Sequence, residues 1–242
     1  MFFRVSTVLV LALSTLSTIS AHGVVTKVQG ANGKTGVGFG VTDVTGKKLR
    51  LFNQASRYIK GDTSACGSQK LNGVSQTEVN EASELSKAIK AGLPTASSNG
   101  TISMTLFQVN ADGAGPYNCE VSADASGKNF VAMKTLVDVP GTKGKSNAKN
   151  TAFPLNIQMP SGMTCTGTGG ACLVRCKNGN SQPFGGCIAV TQAGSATKRS
   201  SVPRLINEAR FHEDAMKGRA VRILLAGNDG DDLDTDEVVS EP

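Results

Sequence analysis

Tryptophan is absent from this chain of 242 residues, and it has only two tyrosines and two histidines. No basic run is interleaved with aromatics, so the chain lacks the usual chemistry of nucleic-acid recognition and no nucleic-acid partner is expected. Beyond residue 21 no apolar run is long enough to span a membrane, so no transmembrane segment is expected. No Ser/His/Asp order with a nucleophile elbow occurs. The glycine-rich stretch Gly30 to Gly40 is followed by neither a Lys-Ser/Thr pair nor a helix in register, which excludes a phosphate loop. Acidic residues are scarce in the body of the chain. From residue 22 to 197 there are 17 Lys+Arg against 9 Asp+Glu, a net of +8. Such a body suits anionic surfaces, including a cell wall or an acidic polysaccharide. A carboxylate pair for glycoside hydrolysis has one source, Asp112 with Glu120, and Asp112 sits in a glycine turn where aspartate is usually structural.

What is present starts with cysteine. Four of the six lie between Met163 and Val190, spaced C-x6-C-x3-C-x10-C. Residues 1–21 read as a secretory signal, with Arg4 as the charged region, Val5 to Leu16 as the apolar stretch and cleavage after Ala21. Secretion turns the cysteines into a disulfide framework and leaves no free thiol nucleophile. Leu173 to Arg175 and Cys187 to Val190 read as short strands joined by Lys177-Asn178-Gly179-Asn180, and Cys172, Val174 and Cys176 share one face. The expected pairs are Cys165–Cys172 and Cys176–Cys187, leaving Cys66–Cys119. Asn99-Gly100-Thr101 is a glycosylation sequon, with Asn99 as the acceptor.

Further strands are expected at Val24 to Val28, Phe39 to Val41, Thr101 to Val109, around Cys119, at Val131 to Val139 and at Leu155 to Met159. Ser75-x-x-Glu78 is a capping box, and Val79, Ala82, Leu85 and Ile89 recur at helical spacing, which predicts a helix from about Gln76 to Ala91. In the strand Thr101 to Val109, Ile102, Met104 and Leu106 form an apolar face, while Phe107 falls on the polar face beside Ser103 and Thr105. Lys143, Lys145 and Lys149 lie in an exposed loop. Seven or eight short strands with one helix predict a mainly β chain, an immunoglobulin/fibronectin-like sandwich over residues 22–192. Residues 193–242 read as a flexible charged tail. It carries a dibasic candidate processing pair, Lys198-Arg199, a helical pattern containing His212, and seven acids without a base from Asp229 to the end.

Cleavage after Ala21 leaves His22 with a free α-amine. The amine and imidazole together can hold copper, and a second imidazole completes a tetragonal three-nitrogen site. The competing reading is that His22 only marks the cleavage point. His212 is a poor second ligand, because a mobile tail does not fix metal geometry.

The stretches TLFQVNADGAGPYNCE (105–120) and NIQMPSGMTCTGTGGACLVRCKNGNSQPFGGCIAV (156–190), together with Ala21-His22-Gly23-Val24-Val25 and the glycine loop to Gly40, resemble the Egh-type, MAS-type family of fungal secreted proteins. That family is associated with appressoria and with virulence on plant or insect hosts, and its architecture is similar to that of lytic polysaccharide monooxygenases. A monomer is expected; the resemblance implies a protein acting at a wall, cuticle or host surface, with wall or cuticle polysaccharide or the host surface as partner. It implies His22 as a metal ligand and copper as the cofactor if one is bound. Phe184 resembles the aromatic on the copper axis of those enzymes, and Gln182 their nearby glutamine; a turn with a packed ring explains Pro-Phe-Gly-Gly equally. The departure is Phe107, where relatives often carry a histidine. Phenylalanine offers no nitrogen, so the implied function is a non-catalytic or degenerate surface-binding protein. An active copper monooxygenase using His22 and a protein-binding effector scaffold are the alternatives.

Overall fold

The computed structural model describes residues 23–42, 44, 54–70 and 76–193. The signal segment, His22, His212, Lys198-Arg199 and the tail beyond residue 193 lie outside the described residues.

Two antiparallel sheets form a sandwich. The first has five strands in the order β2-β1-β6-β10-β9 and the second seven in the order β5-β4-β3-β12-β11-β7-β8. In chain order these are β1 (Gly23–Gln29), β2 (Thr35–Val37), β3 (Ser56–Arg57), β4 (Ser68–Lys70), β5 (Gln76–Glu78), β6 (Thr101–Gln108), β7 (Tyr117–Ser122), β8 (Phe130–Ala132), β9 (Lys134–Val137), β10 (Thr151–Gln158), β11 (Cys172–Asn178) and β12 (Phe184–Val190), with the helix α1 (Glu81–Ala91) before β6. Strand alternation builds the core. Ile102, Met104 and Leu106 of β6 and Leu155 and Ile157 of β10 meet Val121, Val174, Ile188 and Val190 of the second sheet. Burying each such side chain contributes about 1.5–3 kcal/mol relative to exposure.

A second apolar cluster lies on the other face of the seven-stranded sheet. Leu173, Cys187 and Ala189 meet Phe39, Cys66 and Val79 there, and Leu85, Ala88 and Leu93 pack against it from α1 and its exit. β11 therefore buries residues on both faces, with Cys172, Val174 and Cys176 inward and Leu173 outward.

The disulfides correct two of the expected pairs. Cys66 joins Cys187, Cys119 joins Cys176, and Cys165 joins Cys172. Cys176 stands opposite Gly186 on β12 and opposite Cys119 on β7, whereas Cys187 stands opposite Arg175. Cys176 and Cys187 thus point to opposite faces of one sheet, and no bond can join them. Cys176 instead meets its cross-strand neighbour Cys119, at a Cα separation of 4.1 Å.

Three local expectations change as well. The helix starts at Glu81, with Asn80 as its cap: Asn80 Oδ1 accepts from the Ser83 N–H at 3.0 Å. Residues 76–78 pair with β4 instead, and the Glu78 carboxylate accepts from the Thr63 N–H and hydroxyl. Residues 131–139 do not make one strand. The buried Met133 donates its N–H to the Cys119 carbonyl, so β8 stays beside β7 while β9 crosses to β10 in the other sheet. Phe39 to Val41 is a turn. Its Phe39 N–H donates to the Cys187 carbonyl, and the preceding Gly38 donates to Thr26, tying β12 to β1. A Cβ on Gly38 would stand 1.9 Å from the Val25 carbonyl oxygen, so this crossing requires glycine.

Candidate functional site at the start of the first strand

β1 enters the sandwich at Gly23. A Cβ on this residue would lie 2.0 Å from the Tyr117 hydroxyl and 2.6 Å from the Gly113 carbonyl oxygen, so only glycine fits. The buried Tyr117 hydroxyl donates to that carbonyl at 3.0 Å, and burial raises its pKa well above the usual phenol range. The residue after His22 is therefore held on one side by a fixed phenol and on the other by β6, where Gly23 pairs with Gln108.

The next pair is Val24 with Phe107, and across β6 Phe107 faces Ala152 of β10. The aromatic on the polar face now has a physical cause. Val24, Val41, Ala55 and Val109 form an apolar cluster over this end of the sheet, and Phe107 packs half-buried against it. Ala55 leads directly into β3, where Arg57 stands opposite Phe184 of β12. Arg57 Nη2 donates to the Gln182 side-chain oxygen, Oε1, while its Nε is buried without a hydrogen-bond partner. Phe184 itself is buried, its N–H donating to Asn178 Oδ1 at 2.9 Å. Phe184 and Gln182 stand out in the sequence, whereas Arg57, which bonds one and pairs with the other, does not. No local pattern could have found it, because 125 positions separate Arg57 from Gln182.

Buried amides lock the loops at this end. Gln108 Nε2 donates to Ser146 Oγ at 2.8 Å and to the Ala148 carbonyl at 2.9 Å. Asn178 Nδ2 donates to the carbonyls of Asp112 at 2.7 Å and Ala114 at 3.0 Å. Gly144 donates to Gly115, and Ala114 donates to Gly144. The loops at 109–116, 141–150 and 178–184 are thereby one rigid rim. Lys143, Lys145 and Lys149 project from it exposed.

Asp112 and Glu120 are not brought together as a catalytic pair. Asp112 lies 3.8 Å from Lys145 Nζ on the rim, whereas Glu120 pairs with Arg175 on the seven-stranded sheet. Asn99 is exposed before β6, and its Oδ1 accepts from the Thr101 N–H at 3.1 Å.

His22, the candidate copper ligand, lies outside the described residues. The described side chains beside β1 are Phe107, Phe184, Gln182 and the cationic Arg57, and none supplies an imidazole or thiolate. Among the described residues no three His, Cys, Asp or Glu side chains gather as a metal would need.

Comparison with known proteins adds a family. Residues 20–185 match the Egh16-like virulence factor family. The chain is 34% identical over 213 residues to the appressoria-specific virulence factor GAS1 of Pyricularia oryzae, covering 83% of each chain. It is 30% identical over 254 aligned residues to the appressoria-specific virulence factor GAS2 of the same fungus, covering 75% of this chain and 87% of the relative. No solved structure matches.

Proposed function

This chain belongs to the Egh16-like virulence factor family, and on that premise we propose that it is a secreted, virulence-associated fungal protein that binds polysaccharide at a wall or cuticle surface without cleaving it. Residues 22–192 are then the working domain, with 1–21 removed on secretion and 193–242 a tail. The names of the two relatives support the role in virulence. Three disulfides suit an oxidising, extracellular setting.

The observation that carries the non-catalytic reading is the Val24–Phe107 pair. Two residues from His22, on the strand directly alongside, stands a ring that cannot ligate a metal. The rigid rim of Lys143, Lys145 and Lys149 supports binding to an anionic surface.

The test uses the chain processed to begin at His22. Retention on chitin and cellulose is measured with and without a chelator, alongside a copper titration. Retention that survives the chelator and the His22→Ala change, with only weak copper uptake, is the expected result. Tight stoichiometric copper binding with peroxide-driven cleavage of the polysaccharide, abolished in His22→Ala, overturns it in favour of an active monooxygenase. That second reading is favoured by one feature, the position of His22 directly before a glycine that Tyr117 holds in place.

A further inference from the structure

The outer face of the seven-stranded sheet carries a charged row unrelated to the start of β1. Alternation along β11 turns Arg175 and Lys177 outward beyond Leu173. On β7 their partners are Glu120 and Asn118; on the other side Lys177 faces Gly185. A groove of about 480 Å³ opens here, lined by Asn118, Glu120, Ala132, Met133, Lys177 and Pro183.

Arg175 is fully committed within the protein. Its Nε and Nη2 both donate to Glu120 Oε2, at 3.1 and 2.7 Å, and its Nη1 donates to the Ala65 carbonyl at 3.3 Å. Its guanidinium lies 3.8 Å from the centre of the Phe130 ring. Lys177 is not so committed. Its Nζ stands 3.8 Å from the same Glu120 oxygen and 5.5 Å from the centre of the Tyr58 ring. One carboxylate thus serves two cations, and a positive charge is left over in a half-buried groove. Taking a charge out of water without a full counter-charge is unfavourable, and an incoming anion relieves it. The lysine pKa is lowered, first by burial and then by Arg175, in keeping with that surplus. Close by, the Tyr58 hydroxyl is buried with no hydrogen-bond partner, and the Tyr58 N–H donates to the carbonyl of Pro183 in the groove wall.

We propose that this groove binds a saccharide bearing a carboxylate, a uronic acid unit, through Lys177, Asn118 and Glu120. The ammonium takes the carboxylate. The exposed Asn118 amide and the second Glu120 oxygen take ring hydroxyls. Ala132, Met133 and Pro183 meet the C–H face of the ring. A singly charged carboxylate suits the site better than phosphate or sulfate, because Glu120 repels a concentrated anionic charge while accepting hydroxyl protons that a bare oxyanion lacks. The site rests on the wall-binding reading only in taking a polysaccharide as its ligand.

Calorimetry of the processed chain with trigalacturonic acid, its methyl ester, cellotriose and inorganic sulfate tests it. Trigalacturonate is expected to bind, and the ester and the Lys177→Met variant to bind about tenfold more weakly, as for loss of one charge-assisted contact. Asn118→Ala, an exposed change, is expected to weaken binding with an unchanged melting temperature. No binding of trigalacturonate, equal binding of the ester, or sulfate binding as tightly overturns the proposal, as does unaltered affinity in a folded Lys177→Met. Should Lys177→Met not fold, the ester and Asn118→Ala decide. Retention on chitin and cellulose without trigalacturonate binding removes this site and leaves the wall-binding reading standing; trigalacturonate binding without such retention does the reverse for neutral polysaccharide.

Discussion

Arg175 is only 17% exposed at its side chain, and among the described residues Glu120 is the anion paired with it. Glu120→Gln keeps the shape but removes the charge, leaving a partly buried guanidinium without a counter-ion. A loss of about 1–3 kcal/mol is expected, read by chemical denaturation. Asp124 presents a different case, an exposed carboxylate held by its own turn. It accepts from the Ser126 N–H at 3.0 Å, the Ser122 hydroxyl at 2.7 Å and the Ser126 hydroxyl at 2.8 Å. These bonds, led by that from the Ser126 N–H, lower its pKa from 3.8 to about 2. A carboxyl whose folded pKa lies below its unfolded value adds stability above the unfolded pKa, and that stability fades as pH falls through the folded one. Asp124→Asn should therefore be less stable than the parent at neutral pH, and the gap should close between pH 3.8 and about 2. Urea unfolding at both ends of that window checks it; a gap independent of pH refutes it.

Elements here owe their limits to neighbours as much as to their own residues. The box Ser75-x-x-Glu78 matches a helix start, yet residues 76–78 pair with β4 and the helix waits for Asn80. Glu78 is drawn away by Thr63, 15 positions earlier, a partner that no local pattern announces. Asn80→Ala should then cost about 1 kcal/mol through loss of the real cap. Altering Ser75 should not reproduce that loss; thermal melts of the two variants separate the alternatives. Residues 131–139 teach the same lesson for strands. The apolar run reads as continuous, but Met133 donates to Cys119 and sends its two halves to different sheets.

At the scale of the molecule, two of the three disulfides join segments far apart in sequence. Cys66–Cys187 closes a separation of 121 residues, Cys119–Cys176 one of 57, and Cys165–Cys172 one of 7. Chain-entropy arguments scale with the logarithm of loop length, so replacing each pair by serines should cost about 5, 4 and 2 kcal/mol respectively. Reversible unfolding of the three variants gives the order, and a short-loop bridge that mattered most would contradict it. The first bridge also lies within the apolar cluster beneath α1, tying Cys66 to the outer face of β12.

Period-two alternation in residues 101–109 marked an amphipathic strand, and six cysteines with short apolar runs marked a stapled, mainly β chain. Both are local properties, set by side-chain direction along one strand and by composition, and both hold in the folded protein. The sequence also exposed Phe107 as out of place, though not the reason for it. That reason is an apolar cluster contributed by Val24, Val41 and Ala55. The tertiary structure alone decided which cysteines meet, because facing requires knowing which strand lies beside which. It alone placed Arg57 against Gln182 and Phe184, and Glu120 between Arg175 and Lys177. Such contacts depend on register across strands far apart in the chain, and register is settled when a whole sheet buries one face at once.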